Sequence, residues 1–382
     1  MTESHRHRAR WLLLVTLCAL TFSGYARAET FEGGKLEMYI STHADLQAGR
    51  YVLEEEIVDF ISDAHATLDI AVQEIRREEN GEWPIADAIV AAAGRGVRVR
   101  AIVEGDYYDD GHPGNLAFFE QLEREPGVEI IRDGNPAIFH NKFVIRDAGG
   151  ENAALLTGST NFTDTGTRAN YNHIVVVNFP PVSRPPSYYA MLARYQEEFD
   201  EAWSGVFGNQ APSEEPLRCW IGRTYARVYF APDNDPDDHL LDLLLGARQS
   251  LDVMVFTFGS SSPLMAGVIN RWFTWEHQRA GGATADRRLR VATESQQAQY
   301  WSAYPPLLAM GVPVRLERNP NAKLHHKVAI IDEARVILGS YNWTLAANDR
   351  NDENVLVLSN REVAGLFTAA FDELWDEVLV AP

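Results

Sequence analysis

Two short segments of this chain set a histidine, a lysine and an aspartate at the same spacing: His140, Lys142 and Asp147, then His325, Lys327 and Asp332. On an extended strand, residues two apart face the same way, so each imidazole would project beside an ammonium. A second pattern follows each segment, Gly158-Ser159-Thr160-Asn161 and Gly339-Ser340-Tyr341-Asn342. The chain has 34 basic residues but only four lysines, and two of the four sit in these segments. Such groups suit attack on a phosphodiester. Its transition state needs cations and donors around the non-bridging oxygens. Lys142, Lys327, Asn161 and Asn342 can supply them, with the hydroxyls of Ser159 and Ser340 as further substrate-binding groups. The reaction also needs a nucleophile and an acid for the leaving oxygen. Two imidazoles fill both roles, because neutral and protonated forms coexist near neutral pH.

The elements that must position these residues are written twice. Thr67–Val72 matches Ser250–Val255, the motif segments match at an offset of 185, Gly158–Asn161 matches Gly339–Asn342, and Ile174–Val177 matches Val355–Leu358. Four matches in order, at nearly constant offset, are a duplication with a domain-sized period, not a solenoid. Each half alternates apolar, β-branched runs with helical stretches. In the first half, strands are expected at Leu68–Val72, Val97–Val103, Val128–Ile131, the motif segment, Ala153–Leu156 and Ile174–Val177. Helices are expected at Pro84–Ala93, Asn115–Arg124 and Ser187–Trp203. The second half repeats the plan, with strands at Leu251–Phe258, Leu289–Ala292 and Val312–Arg315. Its helices are expected near His239–Ala247, through Arg271, and near Arg361–Glu377. Such alternation implies an α/β fold, each half a mixed β-sheet flanked by helices. Residues 208–221 read as a linker between a first half, 29–207, and a second, 222–382.

The doubled His-x-Lys-x4-Asp element followed by Gly-Ser-x-Asn resembles the mark of the phospholipase D superfamily. The resemblance covers essentially all of the chain after its first 28 residues. It implies two pseudo-symmetric halves sharing one active site at their interface, and a metal-independent mechanism through a covalent phosphohistidine. It further implies that His140 and His325 are nucleophile and general acid, with His140 the nucleophile, and that Lys142, Lys327, Asn161 and Asn342 hold phosphate oxygens. Asp147 and Asp332 are then supporting residues turned away from substrate. Members of the superfamily usually place a carboxylate after Gly-Ser-x-Asn to bond the motif histidine. Here the second half has Glu353, and the first has Asn172. The expectation is that Glu353 serves His325, and that Asn172 orients His140 without bringing charge.

A formal charge of −20 and 46% hydrophobic residues exclude a disordered chain, a polytopic membrane protein and loose binding to long polyanions. His5 to Arg10 form a basic segment, an apolar run extends to Phe22, and Ala26-Arg27-Ala28 offers a small-x-small cleavage site. Residues 1–28 are therefore read as a signal peptide, which places the protein in the periplasm or outside the cell, with no integral membrane segment after cleavage. Cys219 would then be the remaining cysteine, without a metal-ligating neighbour, so neither disulfide, metal nor cofactor is expected. Lys323 is read as a surface residue and His326 as structural. The aromatic groups Tyr107-Tyr108, Phe118-Phe119 and Trp272-Phe273-Trp275 are read as core. The leading expectation is a monomeric phosphodiesterase that hydrolyses a phospholipid headgroup at a membrane or micelle surface. The alternative is a secreted nuclease cutting DNA or RNA, with single-stranded nucleic acid as partner. A non-catalytic phosphate- or lipid-binding protein is the minor alternative.

Overall fold

The computed structural model describes residues 27–76, 83–108, 119–211, 213, 215–282 and 284–381. Most of the expected signal segment, the loop 109–115, Phe118 and the side chains of Tyr107 and Tyr108 lie outside them. Two eight-stranded sheets organise the chain. The first holds β1 (Arg27–Phe31), β2 (Leu36–Ile40), β3 (Thr67–Val72), β4 (Arg98–Val103), β5 (Val128–Arg132), β6 (Lys142–Arg146), β7 (Ala154–Gly158) and β8 (His173–Asn178). Their spatial order is β1-β2-β8-β7-β6-β3-β4-β5. The second holds β9 (Leu217–Ile221), β10 (Thr224–Ala231), β11 (Ser250–Val255), β12 (Arg288–Glu294), β13 (Val314–Glu317), β14 (Lys327–Ile331), β15 (Arg335–Gly339) and β16 (Glu353–Ser359), in the order β13-β12-β11-β14-β15-β16-β10-β9. Position by position the two orders correspond. In each, three adjacent strands run parallel and the rest pair antiparallel.

The expected core strands form within a residue or two of their expected limits, except that β11 ends at Val255, short of the expected Phe258. The edge hairpins β1-β2 and β9-β10 are additions. Leu217–Ile221 falls inside the segment read as a linker, yet it pairs with β10 and closes the edge of the second sheet. The expected cleavage point after Ala28 falls within β1.

Three apolar clusters explain the layering. One packs helices Val52–Ser62 and Pro84–Gly94 on the outer face of the first sheet, through Ile57, Phe60, Ile85 and Ile89. A second packs Pro236–Leu245 and Pro263–Ala280 on the outer face of the second sheet. The third spans both halves: helices Tyr189–Trp203 and Arg361–Glu373 lie between the sheets, with Phe199, Phe367 and Phe371 against Phe143, Val175, Val328 and Leu356. Continuous burial on both faces is why β6, β7, β14 and most of their neighbours read as unbroken apolar runs. Of the aromatic groups, Phe119 and Trp275 are buried, while Phe273 is half-exposed on an apolar groove of helix Pro263–Ala280. Among the described residues no helix is long and apolar enough to cross a membrane.

Candidate active site

The motif aspartates fix where each motif strand ends. Asp147 takes a left-handed backbone conformation and accepts backbone N–H groups of His65, Ala66 and Thr67 at 2.7–2.9 Å. Asp332 does the same for Arg248, Gln249 and Ser250. Each carboxylate thus anchors β6 or β14 to the start of its neighbour, β3 or β11, by charge-assisted bonds. The glycines of Gly-Ser-x-Asn allow a close backbone approach. A Cβ on Gly158 would lie 2.3 Å from the His173 carbonyl oxygen, and one on Gly339 2.2 Å from that of Asn354. That approach lets Ser159 and Ser340 donate their backbone N–H to those same carbonyls.

The lead-in to each motif histidine is exchanged between the halves. Phe139 bridges to Asp352, and Leu324 to Tyr171. The His140 N–H donates to the Asp352 carbonyl, and the His325 N–H to that of Tyr171. Because Glu353 follows Asp352 and Asn172 follows Tyr171, each is carried to the histidine of the other half. His140 Nδ1 lies 2.6 Å from Glu353 Oε2, and His325 Nδ1 lies 2.9 Å from Asn172 Oδ1. This corrects the expected pairing, which kept each partner within its own half.

The serines are also reassigned. Ser340 Oγ donates to Glu353 Oε2 (2.6 Å), and Ser159 Oγ to Asn172 Oδ1 (2.8 Å). Both are buried, face the partners of the histidines and do not line the cavity shared by His140 and His325, in contrast to the expected contact with substrate. Asn351 Nδ2 donates to the second Glu353 oxygen, and Asn172 Nδ2 to the Gly166 carbonyl. With its oxygen accepting from both sides, Asn172 fixes His325 with the proton on Nδ1 and leaves Nε2 for the cavity.

His140 and His325 line one cavity of about 330 Å³ with Asn161, Asn342, Gln73, Glu74, Ile138, Lys323 and others from both halves. Lys142 and Lys327, 2% and 1% exposed, donate to the carbonyls of His140 and His325. Lys142 also reaches Gln73 Oε1, where the second half instead sets the Phe256 ring 5.0 Å from Lys327 Nζ. Lys323 belongs to the cavity wall, not to the outer surface as expected. His326 is structural as expected; its ring stacks on His173, with their Nδ1 atoms 3.0 Å apart.

Burial governs the charges. It pushes both motif imidazoles well below their ordinary value, and the two ammoniums add to the shift. Burial lowers Lys142 to about 7, against the pull of Glu353, and lowers Lys327 with help from Lys142. It raises Glu353 to about 8, opposed by Lys142 and the Ser340 and Asn351 bonds. A phosphodiester anion in the cavity would restore charge to the lysines. Glu198, Glu201 and Asp233 form the group of side chains, among the described residues, that could hold a cation; they do not line this cavity.

Residues 57–203 and 240–375 match the family described as cardiolipin synthase, PLD-like domain. The chain is 37% identical over 139 residues to the mitochondrial cardiolipin hydrolase of Xenopus laevis, covering 36% of this chain and 60% of that protein. It is 32% identical over 195 residues to the enzyme of the same name from Canis lupus familiaris, covering 51% of this chain and 68% of that one. Phosphatidylserine synthase of Haemophilus influenzae Rd KW20 shares the fold, with a TM-score of 0.63 at 12% identity over 92% of this chain and 89% of that one.

Proposed function

Since the chain belongs to the family of cardiolipin synthase PLD-like domains, we propose that it is a metal-independent phosphodiesterase that hydrolyses a phospholipid headgroup through a phosphohistidine on His140. The observation that carries this reading is the crossed pair of contacts. Glu353 of one half holds His140 of the other, and Asn172 holds His325 in return, over one cavity. In the proposed reaction His140 Nε2 attacks phosphorus and the bond to the headgroup oxygen breaks. His325 gives its Nε2 proton to that oxygen. Water then attacks phosphorus, the bond from phosphorus to His140 Nε2 breaks, and His325 takes the proton of the water, which leaves both histidines as they began. A phosphoimidazolium is cationic, and the Glu353 carboxylate is the group placed to balance it. His325 must carry two protons before the first step; the bound diester supplies the negative charge that keeps the second one there.

Lys142, Lys327, Asn161 and Asn342 are assigned to the non-bridging oxygens, so the positive charge needed comes from the chain itself. The names of the hydrolase relatives support a phospholipid substrate, and the basic-apolar N-terminal segment supports action in the periplasm or outside the cell. The test is acid quenching of the protein with a ³²P-labelled phospholipid in EDTA. Label on His140 that is lost in His140→Ala is expected. Label on His325 alone, or turnover abolished by EDTA, would overturn the mechanism.

A further inference from the structure

The rim of the cavity is polarised. Ile138 and Lys323 stand two residues before their motif histidines, and the backbone treats them alike. Asn351 Oδ1 accepts from the Ile138 N–H and Asn170 Oδ1 from the Lys323 N–H, and their carbonyls accept from Asp352 and Tyr171. Yet one is an apolar side chain, 44% exposed, and the other an ammonium. Among the described residues, no hydrogen bond or ion pair holds the Lys323 ammonium. Glu74, the one carboxylate on the described cavity wall, is paired instead with Arg76 at 2.5 Å. The motif lysines Lys142 and Lys327 each donate to the carbonyl of their own motif histidine and are assigned to the diester under attack, which leaves Lys323 for a second anion. A cation without a counter-charge beside a cavity built for an anion is a binding group awaiting a second anion.

We propose that Lys323 binds a second phosphate, carried on the leaving headgroup of a lipid with two phosphodiesters. This rests on the reading of His140 as nucleophile. His325 is then the acid beside the departing oxygen, and Lys323 lies on its side of the cavity. The headgroup leaves past Lys323, while the diacylglycerol portion, still joined through phosphorus to His140, lies toward Ile138. No bond beyond those of the hydrolysis forms or breaks; the second phosphate is an ionic contact.

The experiment compares cardiolipin, whose departing alcohol carries a phosphate, with phosphatidylglycerol, whose departing glycerol does not. Both are given in mixed micelles at equal total phosphate, to the unaltered protein, Lys323→Ala and Lys323→Arg. The unaltered protein is expected to favour cardiolipin in kcat/KM, and Lys323→Ala to lower that ratio about ten- to a hundredfold, as for loss of a bond to a charged group. Lys323→Arg is expected to keep most of it. A ratio unmoved by Lys323→Ala, while bis(p-nitrophenyl) phosphate is still hydrolysed, overturns the assignment alone. Failure of the unaltered protein on cardiolipin, phosphatidylglycerol and bis(p-nitrophenyl) phosphate alike overturns the phosphodiesterase reading and this assignment with it. A parallel arm uses a single-stranded oligothymidylate. If it alone is cut, and Lys323→Ala slows that cutting, the second anion is a neighbouring nucleotide phosphate and the lipid proposal is overturned.

Discussion

Asp147 and Asp332 occupy the same turn in the two halves and accept the same pattern of three backbone N–H groups. Seven residues upstream, His140 and His325 meet different partners: a carboxylate in one case, an amide in the other. Around them Gln73 faces Lys142 where Phe256 faces Lys327, and Ile138 stands where Lys323 does. Duplication has preserved what sets the strands, and diverged in the partners of the two histidines. A two-step displacement needs a group that accepts phosphorus and a group that moves a proton. Identical environments would serve both tasks poorly.

The largest test of that difference is to neutralise the charged partner and charge the neutral one. Glu353→Gln removes the balance for a phosphoimidazolium and the fixed ring orientation. Turnover is expected to fall about 10³- to 10⁴-fold, the scale seen when an orienting carboxylate becomes an amide. Asn172→Asp is expected to cost less than about tenfold at neutral pH, because His325 keeps an acceptor for its Nδ1 proton. Steady-state rates on one phospholipid decide it. Equal losses would mean that the halves are interchangeable.

The scaffold should behave in the opposite way. Asp147→Ala and Asp332→Ala each leave three backbone donors without their charged acceptor. Each is expected to lower stability by about 2–4 kcal/mol in urea unfolding, and by similar amounts. A clear inequality would show that the symmetry of the frame is superficial.

The line between legible and illegible follows the same division. The duplication, the motif strands and the helices on both faces were visible because apolar periodicity and repeated polar spacing are local properties. The supporting role of the aspartates was implied by the family resemblance, not by their spacing. The Glu353–His140 contact could not be read, since nothing local tells a strand which half its first residue will meet. That is settled by the crossed bridges Phe139–Asp352 and Leu324–Tyr171. Ser159 and Ser340 looked like phosphate donors because a hydroxyl beside Asn161 or Asn342 has no visible prior commitment. Lys323 looked superficial because its role depends on facing a cavity walled by Asn170 of the other half. The edge strands β1 and β9 were missed as short segments beside turn residues. One usable signal was given too little weight: Lys323 is one of only four lysines, and it sits two residues from a motif histidine, where it could extend a phosphate pocket.

A smaller effect concerns pH. Lys142 is lowered to about 7 chiefly by burial, so it is charged below that pH and loses its proton above it. In the free protein the charged form is the one that attracts a diester, so kcat/KM is expected to fall with an alkaline limb near pH 7. Lys142→Arg keeps its charge over this range, so the limb should move upward even if the rate falls at every pH. A limb that stays near pH 7 in Lys142→Arg would assign the titration to another group, Lys327 being the next to test.

The smallest effect bears on why an amide survives beside His325. In the proposed reaction this imidazole has to lose a proton to the headgroup oxygen and then recover one from water. Both transfers run best when its affinity for the proton stays near the working pH. Burial and the two ammoniums push that affinity down, and a bound diester pushes it up. A second carboxylate at position 172 would add a permanent upward push, making the proton easier to hold and slower to give. Asn172→Asp is therefore expected to move the acid-to-base midpoint of His325 up by about one unit or more. The acidic limb of kcat, which reports the complex, would shift with it toward higher pH, because the second step needs His325 unprotonated to take the proton from water. Glu353→Gln should shift that limb little, since its carboxylate serves the other ring. If instead Glu353→Gln moves the limb and Asn172→Asp leaves it in place, the proton carrier is His140, and the roles drawn from the crossed contacts are reversed.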